Sequence, residues 1–308
     1  MHFDLADLRL FAGIAEAGNL TRGARRAFLS APAASARIKA LEQQLNARLL
    51  YRDHRGVTLT EAGATLLRHA RIILRQVEHL KHEFDAFGGD STGHIRIYAN
   101  TTAVTEFMPE FLARFLADKP GVTVDLQERL TQDIVRAVRD GSADLGIVSG
   151  PVPEEGLQAI HFSTDRLVLA TPVGHPLAVR TSLPFAASLT YEHIGLHEGS
   201  TLLAFLRSLM EKNGYERALR IQVRSFEAMC RMVEAGVGVG ICPESAALRH
   251  MQTMKIATVA LEDDWALRER SVLVRDVDAL PGSARDLVAR LRQSGSGGSI
   301  GGPPQPVS

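Results

Sequence analysis

Between Asn19 and Thr60 the chain gathers residue types suited to gripping a polyanion. Arg22, Arg25, Arg26, Arg37, Lys39, Arg48, Arg52 and Arg55 run through two short helical patterns and a basic hairpin signal. Ser30-Ala31-Pro32 supplies a serine N-cap and a proline in the first turn of the second helix. The small first half of that helix lets it approach another surface closely. Two helices joined by a tight turn, with arginines around them, present one helix to a DNA major groove. The chemistry expected is non-covalent, with cations on phosphates and short side chains near base edges.

The elements that must position these groups are written in the apolar spacing. Leu5, Leu8, Phe11, Ala12 and Ala15 recur at helical intervals, and Gly18 stands where a C-terminal cap belongs. Thr21 is the expected cap of a second helix ending near Phe28. A third runs from about Ala31 to Leu45 with Ala34, Ile38, Leu41 and Leu45 as its core face, followed by Asn46 at a position that tolerates a left-handed conformation. Leu49–Arg52 and Gly56–Leu59 read as two short strands, a wing. Thr60 caps a long helix whose apolar residues Leu66, Ala70, Ile73, Val77, Leu80, Phe84 and Phe87 are spaced 4-3-4-3-4-3. That heptad stripe favours pairing with a second helix.

The formal net charge of zero conceals an asymmetry. Residues 1–75 carry twelve Lys and Arg against six Asp and Glu, a net +6; the remainder carries 23 against 29, a net −6. A basic head on an acidic body suits a polyanion at one end only. Hydrophobic content of 45% supports real cores, and no apolar run nears the roughly 20 residues of a membrane span. The opening residues lack signal-peptide features, so a cytoplasmic protein is expected. Two cysteines, Cys230 and Cys242, make no disulfide framework.

After Gly88-Gly89-Asp90-Ser91-Thr92-Gly93, a linker by composition, strands and helices alternate. Ile95–Ala99 reads as a strand, Ala103–Ala117 as a helix, Val122–Leu126 as a strand, Gln132–Arg139 as a helix and Asp144–Val148 as a strand, a doubly wound start. A further strand begins at Arg166–Thr171. Ser225–Glu234 is a helix, Val239–Pro243 a strand end and Arg270–Val274 a late strand.

These residues resemble the LysR-type transcriptional regulators. The resemblance is carried by Leu8-Arg9-Leu10-Phe11, Ala15–Thr21, Ser30–Ser35, Ile38–Leu45, Ala47–Leu50 and Leu59–Gly63. It continues in Asp144–Val148, Gly174–Leu177, Glu198–Thr201, Ser225–Met229 and Ala235–Gly240. It implies an α/β multidomain chain: a winged helix-turn-helix at 1–60, a linker and dimerisation helix with a hinge at 61–90, and a periplasmic-binding-protein-like, two-lobed effector-binding domain at 91–293. Lobe 1 is expected at 91–163 and 267–293, lobe 2 at 164–266, and a disordered tail at 294–308.

Onto that frame fall the DNA-binding candidates Thr21, Arg22, Ser30, Ala31, Pro32, Ser35, Arg37, Lys39, Gln43, Arg52 and Arg55. Ser30, Ser35, Lys39 and Gln43 are expected near the groove; Arg22, Arg37, Arg52 and Arg55 are expected on phosphates. The family often has glutamine after the capping serine and polar residues on the groove side, where this chain has Ala31 and Ala36, so base reading rests on few groups. Dimer contacts are expected from Leu66, Ala70, Ile73, Val77, Leu80 and Phe84, with a homotetramer through the effector lobes and RNA polymerase as a further partner.

In the effector half, Asn100-Thr101-Thr102 follows a strand and opens a helix, and Gly199-Ser200-Thr201 repeats the arrangement. Two helix N-termini at one crevice suit a small anion. Val148, Ser149 and Gly150 sit where the chain crosses between lobes, and Ser225 and Phe226 are expected to cover the cleft from the other side. Gly236–Gly240 follows a helix and enters a strand, the reverse of a dinucleotide fingerprint. His79 and His82 lack the companions of a metal site, the two cysteines read as buried thiols, and no nucleophile elbow is present. No cofactor, metal or catalysis is expected. The competing readings are a cytosolic solute receptor without DNA binding and an enzyme on the same two-lobed scaffold.

Overall fold

Gly18 ends the first helix in the left-handed conformation at φ 58°, a backbone state that glycine adopts without a Cβ penalty. The chain turns there so that α1 (Leu5–Ala17), α2 (Leu20–Arg26) and α3 (Ala31–Gln44) pack around Leu10, Phe11, Ile14, Ala34, Ile38 and Leu41, all nearly inaccessible. A computed structural model describes residues 3–53, 56–87, 93–152, 156–212, 214 and 219–296, except the side chains of 79, 82, 83, 85–87 and 296. The hinge at 88–92, Arg55 of the wing and residues 297–308 of the tail lie outside the described residues; the final helix runs through Ser296.

Strands β1 (Leu50–Asp53) and β2 (Gly56–Leu59) form the wing, in antiparallel register from Leu50↔Leu59 to Asp53↔Gly56. Glu42 fixes where the wing starts: its Oε1 accepts from the backbone N–H of Leu49 at 2.8 Å and of Leu50 at 3.2 Å. Thr60 Oγ1 accepts from Gly63 N at 2.9 Å and so caps α4 (Glu61–Phe87). The cap of α2 is Asn19, not Thr21: its Oδ1 accepts from Arg22 N at 3.0 Å, and Thr21 lies inside the helix. The left-handed Gly18 leaves Asn19 extended, which is the Ncap geometry.

The chain divides into two compact units, residues 1–93 with 140–142, and 94–139 with 143–308. In the second, β3 (Gly93–Ala99), α5 (Met108–Ala117), β4 (Val122–Glu128), α6 (Thr131–Asp140) and β5 (Leu145–Ser149) alternate, with β3 parallel to β5. Ile95, Ile97 and Ala99 alternate onto one face of the sheet while Tyr98 packs on the other.

The expected helix from Ala103 begins as a π-helical turn, Ala103–Phe107, and becomes α-helical only at Met108. Pro109 has no N–H for the carbonyl four residues back, and its ring crowds that carbonyl. A widened turn removes the conflict.

The next strand is far longer than its sequence suggests: β6 runs from Gln158 to Pro172, starting eight residues before Arg166. It is followed by β7 (Ser182–Leu183), α7 (Phe185–Ser188), β8 (His193–Leu196), α8 (Thr201–Lys212), β9 (Ile221–Val223), α9 (Phe226–Glu234), β10 (Val239–Pro243), α10 (Glu244–Met251), β11 (Ile256–Leu261), β12 (Leu267–Val274) and α11 (Gly282–Ser296). The sheet runs β4-β3-β5-β12-β6-β10-β8-β9, with β11 also on β6 and β7 on β11. The first half of β6 pairs with β12 and the second half with β10 and β11. One strand therefore belongs to both lobes. Phe162 is the extra residue where its register shifts against β12 at Arg270/Ser271.

Lobe 2 buries Leu169, Phe226, Met229, Val233 and Ile241 together with both cysteines. His193 is buried among them, donating from Nε2 to the Ser188 carbonyl at 3.0 Å. Burial lowers its pKa below the ordinary 6.5, so the folded state holds it neutral. Below about pH 6.5 the unfolded chain takes up a proton that the native chain refuses. Native stability then falls by up to about 1.4 kcal/mol per pH unit from this group, levelling off once the native pKa is reached. Thermal unfolding of His193→Gln across that interval should show a shallower pH slope than the parent; an unchanged slope would assign the acid lability elsewhere.

Candidate functional site

Asn100, Thr101, Thr102, Ser149 and Thr201 converge on one cleft between the lobes, joined there by Asp165, Arg166, Leu202, Pro243, Arg268 and Arg270. Asn100 is a brace: its Nδ2 donates to Ser149 Oγ at 3.0 Å, and its Oδ1 accepts from Ala103 N at 2.9 Å. Thr101 Oγ1 donates to Glu128 at 2.6 Å and lies 3.4 Å from the buried Ser200 Oγ in the opposite lobe. His197 Nε2 approaches the same Glu128 oxygen at 3.4 Å. Elsewhere along the cleft Arg249 of α10 pairs with Glu106 of the π-turn, where burial raises the carboxyl pKa and the arginine opposes it. Polar contacts thus span both lobes around the cavity.

Several expected lining residues lie elsewhere. Val148 is buried in the core beneath lobe 1, and Phe226 is buried in the core of lobe 2, because Phe226, Met229, Cys230 and Val233 form the inward face of α9. Ser225 is spent as the cap of α9, accepting from Ala228 N. Gly199 is outside the cavity, its N–H donated to His197 Nδ1 at 3.1 Å, and Ser200 sits beneath the surface. Gly150 adopts φ 82° beside Arg268; a Cβ there would stand 3.0 Å from Nη2.

The cleft also holds charged residues that no sequence motif marks. Arg270 pairs with Asp165, which also accepts from Ser245 Oγ at 2.9 Å. Arg268 donates from Nη2 to the Ser149 carbonyl at 2.8 Å and lies 4.5 Å from the Phe205 ring centroid. Its Nε and Nη1 are buried without an acceptor, as is Thr201 Oγ1. Burial pulls the guanidinium pKa down, yet arginine stays cationic. A signal existed: Arg268 and Arg270 stand two apart in a strand and so share a face.

In the first unit, Pro32, Ala36, Lys39 and Gln43 are exposed on α3, opposite the buried Ala34, Ile38 and Leu41. Ser30 caps α3, and Ala31 stands at its first position. Ser35 Oγ accepts from Arg52 Nη1 at 2.8 Å, strapping the wing to α3. Arg22 turns back to the Ala17 carbonyl at 2.7 Å. Arg37 is engaged by Asp7 at 2.8 Å and Asp4 at 3.2 Å, so its charge is already balanced and it is better read as a clasp between α1 and α3 than as a phosphate contact. Along α4, Ala70 is buried and Leu66 and Val77 are half-buried, whereas Ile73, Leu80 and Phe84 are exposed.

Residues 5–64 match the family model for the bacterial regulatory helix-turn-helix protein, lysR family, and residues 88–296 match the LysR substrate binding domain. The chain belongs to the LysR family. It is a DNA-binding transcriptional regulator with an effector-binding domain, of a family whose members are regulators rather than enzymes. A "Probable RuBisCO transcriptional regulator" of Porphyra purpurea is 30% identical over 278 residues, covering 88% of each chain. Among solved structures, full-length CbnR with its target DNA is 22% identical at a TM-score of 0.62, over 95% of this chain and 100% of that one. The Synechocystis PCC6803 CcmR regulatory domain in complex with 2-PG is 22% identical at 0.58, over 67% of this chain and 99% of that one. Among the described residues of this LysR-family chain, no helix is long and apolar enough to cross a membrane.

Proposed function

We propose that this LysR-family regulator works in the cytoplasm as a homo-oligomer. It would read DNA with α3 and the wing and switch when a small anionic metabolite occupies the cleft between the lobes. The observation that carries the effector reading is the Arg268 guanidinium, buried in that cleft with Nε and Nη1 unpaired. A cation so placed awaits an acceptor. The 2-PG seen with the CcmR domain is a neighbour's ligand that agrees in kind. Lys39 and Gln43 are assigned to base edges, supported by their exposure on α3, and Ser35, Ala31 and Pro32 to the close approach. Arg22 and Arg52 are assigned to phosphates, with Arg25 and Arg26 extending the basic edge. Pairing through α4 is supported by the exposed Ile73, Leu80 and Phe84, and tetramer assembly and contact with RNA polymerase complete the reading.

Closure of the lobes on an anion would favour one arrangement of the oligomer over another and so alter the spacing of its DNA heads. The test is a mobility shift on DNA flanking the protein's own gene, with and without a metabolite panel. The log of affinity should fall linearly with the log of salt, and Arg52→Ala should weaken binding across sequences by about tenfold while lowering the salt slope by about 1. Salt-insensitive binding, or no shift at low salt, would refute the assignment of the DNA face.

A further inference from the structure

We infer that the effector is a small dianion, a compound presenting two oxyanion charges, held by Arg268 and Arg166. The inference rests on the cleft being the effector site and adds the charge of what it takes. Four charged side chains line the cavity: Asp165, Arg166, Arg268 and Arg270. Asp165 and Arg270 neutralise one another. Among the described residues no carboxylate stands within ion-pair distance of the other two arginines, which leaves the cavity with two uncompensated positive charges.

Arg268 is the stronger anchor. Of its five N–H donors, three, on Nε and Nη1, have no acceptor although both atoms are shut off from solvent. Phe205 covers the plane of the guanidinium, and Nη2 is tied to Ser149. The group is therefore held in place with its donors unspent, an arrangement matched by carboxylate or phosphate oxygens. Thr201 Oγ1, buried and unpartnered at the start of the twelve-residue α8, supplies a fourth donor. Arg166 is exposed at the rim and meets the second charge. A neutral ligand would leave both charges unanswered and a monoanion would leave one.

Short dicarboxylates and small phosphate monoesters share this chemistry, and the probes separate them.

The experiment is isothermal titration calorimetry on the full-length chain at constant ionic strength, using acetate, malonate, succinate, inorganic phosphate and methyl phosphate. At least one dianion should bind tenfold or more tighter than acetate. Malonate and succinate against the two phosphates tell which acid is preferred. Arg268→Gln should weaken that dianion at least tenfold. Arg166→Gln alters an exposed side chain, leaves the fold intact, and should bring the dianion toward the affinity of acetate. Equal binding of acetate and the dianions, binding indifferent to both substitutions, or no binding by any probe would overturn the inference. The broader effector reading is judged separately, by whether any metabolite, neutral compounds included, changes the operator shift.

Discussion

Gly23→Ala should abolish operator binding while leaving the unfolding of the effector-binding unit unchanged. A Cβ built on Gly23 would lie 2.5 Å from Ile14 Cα, 2.5 Å from Ile14 Cγ1 and 2.7 Å from Ile14 N. Two of those atoms are backbone, so no rotamer change relieves the overlap, and α1 and α2 must separate by about 1 Å to reach ordinary carbon contact. Ile14 is fully buried in the core that also receives Ala34 and Ile38 of α3, so the shift reaches the helix assigned to the groove. Overpacking of this kind costs about 3 kcal/mol, a large part of the stability of so small a unit. Thermal melts followed by circular dichroism, with operator shifts in parallel, should show an early transition assigned to residues 1–93 and lost DNA affinity. Parent-like melting with parent-like affinity would mean that the α1–α2 crossing accommodates a methyl group.

Arg270→Met should destabilise the effector-binding unit by about 3–5 kcal/mol. Asp165 and Arg270 are paired with side chains only 13% and 8% exposed. Removing the cation leaves a carboxylate that water barely reaches, with Ser245 Oγ and the backbone N–H of Arg166 as its remaining donors. The guanidinium also lies 5.8 Å from the Phe107 ring centroid, so its loss loosens the π-turn as well. Adding Asp165→Leu should restore much of the loss, because a buried ion pair replaced on both sides by apolar groups of similar size is often neutral. Ligand-free thermal unfolding of the two single variants and the double variant measures the coupling. A double variant no more stable than Arg270→Met would place the cost in packing rather than in the stranded charge.

What the sequence made readable was local. The 4-3-4 spacing of Ala34, Ile38, Leu41 and Leu45, the Thr60 cap and the Asn46 turn at φ 48° are all decided within a few residues. Asn19 and Thr21 both belong to the capping types, and only the left-handed Gly18 before them selects Asn19. Phe226 was misplaced by its neighbour Ser225, although the 3-1-3 spacing that follows marks it as inward. The cleft was half legible. Threonines and asparagine next to helix starts are recognisable, but the cavity is closed by residues near 100, 149, 166, 201, 243 and 268, and no spacing rule joins segments so distant. The first half of β6 reads as loop because it is mostly polar and Phe162 is its one buried residue, so its pairing shows only when β12 is laid against it.

The crossing of β6 between the lobes, at Arg166 and Leu167, has a mechanical consequence. Chains that pass between lobes as loose segments behave like hinges with free play. Here the passage is made by one strand that keeps ladder partners on both sides, β12 up to Arg166 and β10 from Leu167. Rotation of one lobe against the other must therefore twist β6 between two hydrogen-bonded ladders. The joint is a torsion spring rather than a door.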